Sequence, residues 1–143
     1  MTIQLATTEA DLRRCLPALL VLRPHLSDET ALAIIHQQQA QERVRVAFVA
    51  IEGQPAPAVI TYRELTFLFS GKTIYIDDLT TLPAGRGKGY AGALLDFVID
   101  QARQRGFDTV SLDSGHGENR ADAHRLYLNK RFRISSHHFS LSL

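Results

Sequence analysis

Residues Leu82 to Gly92 read L-P-A-G-R-G-K-G-Y-A-G, with glycines at 85, 87, 89 and 92 and the cations Arg86 and Lys88 between them. Glycine loses the most backbone freedom on folding, so this density marks a place where main chain must turn sharply or approach something closely. An extended run precedes the segment and a helical one follows it. The first amide groups of a helix lack partners and its dipole adds positive potential, so a glycine loop feeding a helix start suits a phosphate. Arg86 and Lys88 reinforce that charge.

Which phosphate compound would sit there is a separate question. Gly87, Gly89 and Gly92 satisfy G-x-G-x-x-G, and Asp113 lies at about the distance of a ribose-binding acid, as in a dinucleotide fold. That fold builds a large parallel sheet outward from this unit. Here the preceding segments read as antiparallel, and only about thirty residues follow the next strand. Gly71-Lys72-Thr73 has the ending of a P-loop, but Thr66 stands where the earlier glycine is required, so the triplet reads as a hairpin.

Other chemically capable residues are few. Asp77 and Asp78 interrupt an apolar strand; neighbouring strand side chains point to opposite faces unless a bulge intervenes, so at least one acid must face an interior or a cleft. Asp113-Ser114-Gly115 follows a strand end, where ligands often bind. His137 and His138 are adjacent in an extended run and diverge, and His116 and His124 have no partner at metal-ligand spacing, which argues against a metal site. Cys15, flanked by Leu12, Leu16 and Leu19, reads as a buried thiol. The basic cluster Arg120, Arg125, Lys130, Arg131 and Arg133 reads as a solvated helix face.

The elements that must position these residues follow from periodicity and caps. Thr2–Thr7 is predicted as a strand. Thr8 with Asp11 resembles a capping box opening a helix with Leu12, Leu16, Leu19 and Leu20 inward, kinked or split at Pro17. Ser27 starts a second helix, which the polar run Gln37–Gln41 ends. Val44–Glu52, Ala58–Phe69 and Thr73–Leu82 read as an antiparallel meander. Ala91, Leu94, Leu95, Val98 and Ala102 form the inner stripe of a helix that Gly106 stops, and Phe107–Leu112 reads as a buried strand. Strand, turn, helix and strand make a right-handed crossover with the two strands parallel. A last helix begins near Asn119, with Ala123, Leu126 and Tyr127 inward, followed by closing strands at Phe132–Ile134 and His138–Leu143. The fold class expected is α+β: a mixed, mostly antiparallel central sheet flanked by helices, with a β-α-β crossover at the phosphate turn.

With 143 residues, 45% apolar and 22% charged, the chain fits one domain spanning 1–143 that folds without disulfides or metals. A net charge of +1 disfavours nucleic acid as the main ligand. No apolar run is long enough to span a bilayer, and the N-terminus lacks a signal pattern, which argues for a cytoplasmic protein.

The segment L-T-T-L-P-A-G-R-G-K-G-Y-A resembles the acetyl-coenzyme A signature of the GNAT superfamily of N-acetyltransferases, Arg/Gln-x-x-Gly-x-Gly/Ala, with Arg86, Gly89 and Ala91 in the matching places. Downstream, E-N-R-A-D-A-H-R-L-Y-L-N-K-R-F is similar to the family's second segment, a helix bearing a tyrosine and ending in a glycine–phenylalanine pair, here Arg131-Phe132. The resemblance covers about Ile74 to Phe132. It implies acetyl transfer from acetyl-coenzyme A directly to an amine. Backbone amides of Arg86, Gly87, Lys88, Gly89, Tyr90 and Ala91 would cradle the pyrophosphate, and the edge of Leu79, Thr80 and Thr81 would bind the pantetheine arm. Tyr127 would protonate the leaving sulfur, as against serving only as a core aromatic. Asp77, or Asp78 beside it, would act as base, directly or through water, as against pairing with a nearby arginine. Asn119 would contact the cofactor or simply cap its helix. Acids near the cleft favour a cationic acceptor, and the last strand could pair across a homodimer. Arg131, standing where the family pattern has a glycine, strains a left-handed turn and leaves open a catalytically inactive acyl-coenzyme A-binding regulatory module of the same fold.

Overall fold

The computed structural model describes residues 1–143, and its first two helices begin where capping chemistry places them. After strand β1 (Thr2–Leu5), the Thr8 and Asp11 side chains exchange hydrogen bonds with each other's backbone amides and open helix α1 (Glu9–Leu22). Helix α1 runs unbroken through Pro17, so the expected split does not occur. Leu12, Cys15, Leu16, Ala18 and Leu19 are buried on both sides of the proline, and this packing offsets the hydrogen bond that proline cannot make. Ser27 and Thr30 form a second capping box at the start of α2 (Asp28–Gln41). The Gln37–Gln41 run forms the last turn of α2, which ends at Gln41 as expected; glutamine is a good helix former and this turn faces mostly solvent.

Strands β2 (Arg45–Ala50), β3 (Ala58–Phe67) and β4 (Gly71–Thr81) form the antiparallel meander, shifted from the expected limits by up to two residues. A short 3-10 turn, Pro83–Gly85, leads into α3 (Tyr90–Gln104), and β5 (Thr109–Leu112) pairs parallel to β4. A second 3-10 turn, Glu118–Arg120, precedes α4 (Ala121–Asn129). The sheet order is β1-β2-β3-β4-β5, antiparallel except for its last pair. This mixed sheet of five strands with four helices confirms the α+β expectation and departs from a doubly wound parallel sheet. No helix is long and apolar enough to cross a membrane.

Strand alternation divides the core between the two faces. Val46, Phe48 and Val59 meet α1 and α2, whereas Ala47, Val49, Ala58, Ile60, Ile74 and Ile76 meet Leu94, Leu95 and Val98 of α3. Cys15 is fully buried in the first cluster, and that burial pushes its thiol up to about 12, so it stays protonated and quiet.

Two expectations about the C-terminal region need correction. The strands expected at Phe132–Ile134 and His138–Leu143 do not form, and no helix or strand follows α4. The alternation F-S-L-S-L suits a strand, but a strand exists only where a partner ladder receives it, and Ile134, Phe139, Leu141 and Leu143 stand 84–115% exposed. Helix α4, by contrast, ends as the resemblance implies. The Phe132 amide donates to Tyr127 O, the Arg131 amide donates to Leu128 O, and Arg131 has φ 68°. This is the Schellman arrangement with arginine where glycine is favoured. An L-residue in this region costs about 1–2 kcal/mol. Arg131 is exposed and forms no ion pair. Arg131→Gly is therefore expected to stabilise the fold by about 1 kcal/mol, read as a rise of roughly 3 °C in a thermal melt. A fall in melting temperature would show that the arginine side chain contributes more than its backbone strain costs.

Candidate active site

The register of β3 on β4 shifts between Thr61 and Tyr62: Thr61 pairs with Asp78 but Tyr62 pairs with Ile76, leaving Asp77 as the extra residue of a bulge. A bulge breaks the period of two. Tyr75, Asp77, Asp78 and Thr80 consequently share the face toward α1 and α2, while Ile74, Ile76 and Leu79 pack on the α3 side. The sequence demands one acid in a cleft, and the bulge delivers both.

Two adjacent carboxylates on one face repel, and each is held by its own arginine. Asp77 accepts two hydrogen bonds from Arg63, at 3.0 Å to Nε and 2.8 Å to Nη2, and Arg63 also meets Glu42 at 3.0 Å. Asp78 Oδ1 accepts from Arg23 Nε at 2.9 Å and Nη2 at 2.7 Å, and its Oδ2 accepts from the Thr61 hydroxyl at 2.7 Å. Arg23 caps the C-terminal end of α1, so this pair ties the first helix to the bulge. Burial raises the Asp77 carboxyl above its ordinary value, against the pull of Arg63, with Asp78 adding to the rise.

Strands β4 and β5 pair only from Thr73–Thr109 to Ile76–Leu112. Beyond that point they part, and the β4 edge from Asp77 onward has no strand beside it on the β5 side. A cleft of about 260 Å3 opens there, walled by Ile76, Asp77, Asp78 and Leu79 on one side and by Leu112, Asp113 and Tyr127 on the other. Tyr127 packs its ring against Phe132, with centroids 6.1 Å apart, and its hydroxyl has no hydrogen-bond partner within the chain. Burial raises its pKa, with Arg120 pulling the other way, so the phenol remains protonated near neutral pH.

Leu79 packs toward the α3 side, Thr80 is buried with its hydroxyl donating to Ala18 O at 2.9 Å, and Thr81 is half-buried at the strand end. Past this edge, Arg86, Gly87, Lys88 and Gly89 are all exposed, and Tyr90 and Ala91, half-buried, begin α3. Gly87 and Gly89 have φ 76° and 80°, and a Cβ built on either would meet nothing within 4 Å. Gly89 is the N-cap of α3, and no side chain caps that helix end. An uncapped start to a helix of 15 residues, lined by left-handed glycines and open to solvent, is a cradle of free amides suited to a diphosphate.

Some expected residues stand elsewhere. Asn119 is exposed in the 3-10 turn and makes no cap; Arg120 is the N-cap residue of α4 and lines the cleft. Its Nε is buried without a partner, while Nη2 reaches Ser114 Oγ at 3.4 Å. His124 Nε2 lies 2.8 Å from Gly115 O and pins the loop that Asp113 begins. Sequence reasoning does not reach Arg23, Arg63, Thr61, Tyr75 or Arg120 as parts of the site. The Tyr75 hydroxyl donates to Asp113, which joins β4 to the end of β5 across the cleft. No three His, Cys, Asp or Glu side chains gather as a metal site would require.

Comparison with known proteins identifies the family and the fold. The sequence profile described as "Acetyltransferase (GNAT) family" matches residues 8–132. The uncharacterized N-acetyltransferase YhdJ of Bacillus subtilis (strain 168) is 33% identical over 134 residues, which is 93% of this chain and 92% of that protein. Among solved structures, a putative acetyltransferase from Agrobacterium tumefaciens str. C58 superposes with a TM-score of 0.83 at 23% identity, each chain covered completely. A transcriptional regulator from Bacillus halodurans C-125 superposes with a TM-score of 0.82 at 21% identity, covering 99% of each chain. Both identities are low enough that these two structures speak to the fold alone.

Proposed function

Because the chain belongs to the GNAT acetyltransferase family, whose profile spans most of its length, we propose that it transfers an acetyl group from acetyl-coenzyme A directly to an amine. The observation that carries this reading is the parting of β4 from β5 at Ile76 and Leu112, because it joins the α3 amide cradle, the free β4 edge, Tyr127 and the acidic bulge along one path.

The residues present fit such a donor. Amides of Gly87 to Ala91 would hold the diphosphate, the expected Arg86 amide being bonded to Pro83 O instead, with the side chains of Arg86 and Lys88 free to meet its charges, and the edge of Leu79 to Thr81 would bind the pantetheine arm as an added strand. The donor would supply an activated acetyl group on a thioester. The protein's part is proximity and proton movement. Asp77 accepts the proton that the attacking ammonium must lose, through a water given the short reach of aspartate; its raised basicity suits that task. Asp78, with three hydrogen bonds already accepted, orients Arg23 and adds negative potential for the incoming ammonium. Tyr127 gives its phenolic proton to the departing sulfur, and Cys15, buried and protonated, takes no part.

The inactive-module alternative rests on Arg131, and Arg131 adopts the left-handed turn regardless, so nothing favours that reading over turnover. Incubation of purified protein with acetyl-coenzyme A and a set of primary amines is expected to release free thiol only when an amine is present. Thiol release no faster than spontaneous hydrolysis with every amine would contradict the proposal.

A further inference from the structure

A second cavity, of about 470 Å3, lies on the opposite side of the acidic bulge from the Tyr127 cleft and shares Arg23, Asp77 and Asp78 with it. Its volume falls in the range of small-molecule sites, roughly 300–1,000 Å3. Its inner end is polar: Asp77, Asp78, Thr61 and Tyr75. Its wall is Leu19 and Leu20 at the end of α1, Leu26 in the connection, and Ala31, Ile34 and Ile35 on the first turns of α2. Ile34 is 44% exposed and lines this wall beside Ile35 and Ala31, so its hydrocarbon is open to a ligand.

The charges at the polar end are unequal. Among the charged side chains of the lining, Arg23 stands against both Asp77 and Asp78, which leaves a net charge of −1, and the neutral Arg63–Glu42 pair joins Asp77 from outside the lining. One ammonium neutralises it. A second ammonium on the same molecule would lie against leucine and isoleucine, near Arg23 and His25, and sugar hydroxyls on the α1–α2 wall would lose water with only Gln38 and His25 to replace it.

We propose that the acceptor is a monoamine with an apolar body, an alkyl or arylalkyl primary amine, its ammonium at the Asp77–Asp78 bulge and its hydrocarbon on the α1–α2 wall. This narrows the cationic-acceptor expectation from charge alone and disfavours polyamines and amino sugars. It rests on the acetyl-transfer reading for the location of the acceptor, but the cavity's chemistry can be tested without turnover.

Two measurements test it. In thiol-release kinetics, kcat/KM rises about fourfold per added methylene from propylamine to hexylamine, and spermidine and glucosamine fall about tenfold or more below hexylamine. Ile34→Ser lowers kcat/KM for hexylamine about tenfold and flattens the chain-length series. Separately, saturation-transfer NMR without acyl donor shows hexylamine and phenethylamine binding through their hydrocarbon protons, competing with each other and weakened by Ile34→Ser. A flat chain-length series, or spermidine or glucosamine as the better ligand, overturns the inference while acetyl transfer stands. Chain-length-dependent binding with no thiol release from any amine sustains the cavity's ligand class and removes the transfer reading. Neither binding nor release with any amine, spermidine and glucosamine included, removes both.

Discussion

Tyr127→Phe lowers kcat by about two to three orders of magnitude and leaves acetyl-coenzyme A affinity and melting temperature essentially unchanged. The substitution is clean because the hydroxyl has no partner within the chain and the ring stays packed on Phe132. A leaving thiolate needs a proton as the carbon–sulfur bond breaks, and a phenol whose pKa is raised by burial still carries one at neutral pH. The basic limb of the pH profile therefore lies above the ordinary tyrosine range. Steady-state kinetics with calorimetric titration of acetyl-coenzyme A checks both halves. An unaltered kcat would assign the proton to water and return Tyr127 to the role of a packed aromatic.

Asp77→Asn lowers kcat/KM by about a hundredfold and removes the acid limb of its pH dependence. Protonation silences Asp77 as a proton acceptor, so in the native enzyme activity falls as pH drops through the Asp77 pKa. Desolvation places that pKa above the ordinary carboxylate value despite the opposing pull of Arg63. Asparagine cannot titrate, so the residual rate becomes insensitive to pH in that window. Arg63 retains Glu42 at 3.0 Å, and the amide oxygen of asparagine still accepts one bond, so the fold survives with a melting temperature lower by a few degrees. A hundredfold loss that keeps the acid limb would mean that another group titrates there and that Asp77 serves by holding Arg63.

Much of this site is written in local chemistry. The glycines at 87 and 89 are needed because the chain turns left-handed there, and α3 announces itself by a stripe of Leu94, Leu95, Val98 and Ala102, all buried. The parallel β4–β5 pair follows from crossover handedness once the strand, turn, helix and strand are recognised. Arg63, which the sequence reading passes over, could have been found by a register count: from the turn before Gly71 it falls opposite Tyr75, diagonally beside Asp77.

The bulge is where local reasoning ends. Uninterrupted counting pairs Thr61 with Asp77, and only tertiary packing of Thr80 on α1 and Ile76 under α3 makes the extra residue preferable. Arg23 is 55 residues from Asp78 in sequence, and nothing in its neighbourhood marks it as a ligand of that acid. Asn119 has the residue type of a cap, yet the 3-10 turn moves the helix start onward and brings Arg120 to the cleft. The expected C-terminal strands, which do not form, make the converse point: F-S-L-S-L carries the right period, but pairing is a property of two segments, and β5 receives no second partner.

The central claim is that backbone amides at the start of α3 hold the diphosphate of coenzyme A. Amide-resolved NMR titration with coenzyme A, and in parallel with pantetheine, addresses it directly. The account predicts large shifts at Gly87, Lys88, Gly89, Tyr90 and Ala91 with coenzyme A that are absent with pantetheine, while amides of Leu79 and Thr81 respond to both. Coenzyme A binding that leaves the amides of 87–91 unmoved, or no binding at all, would contradict it.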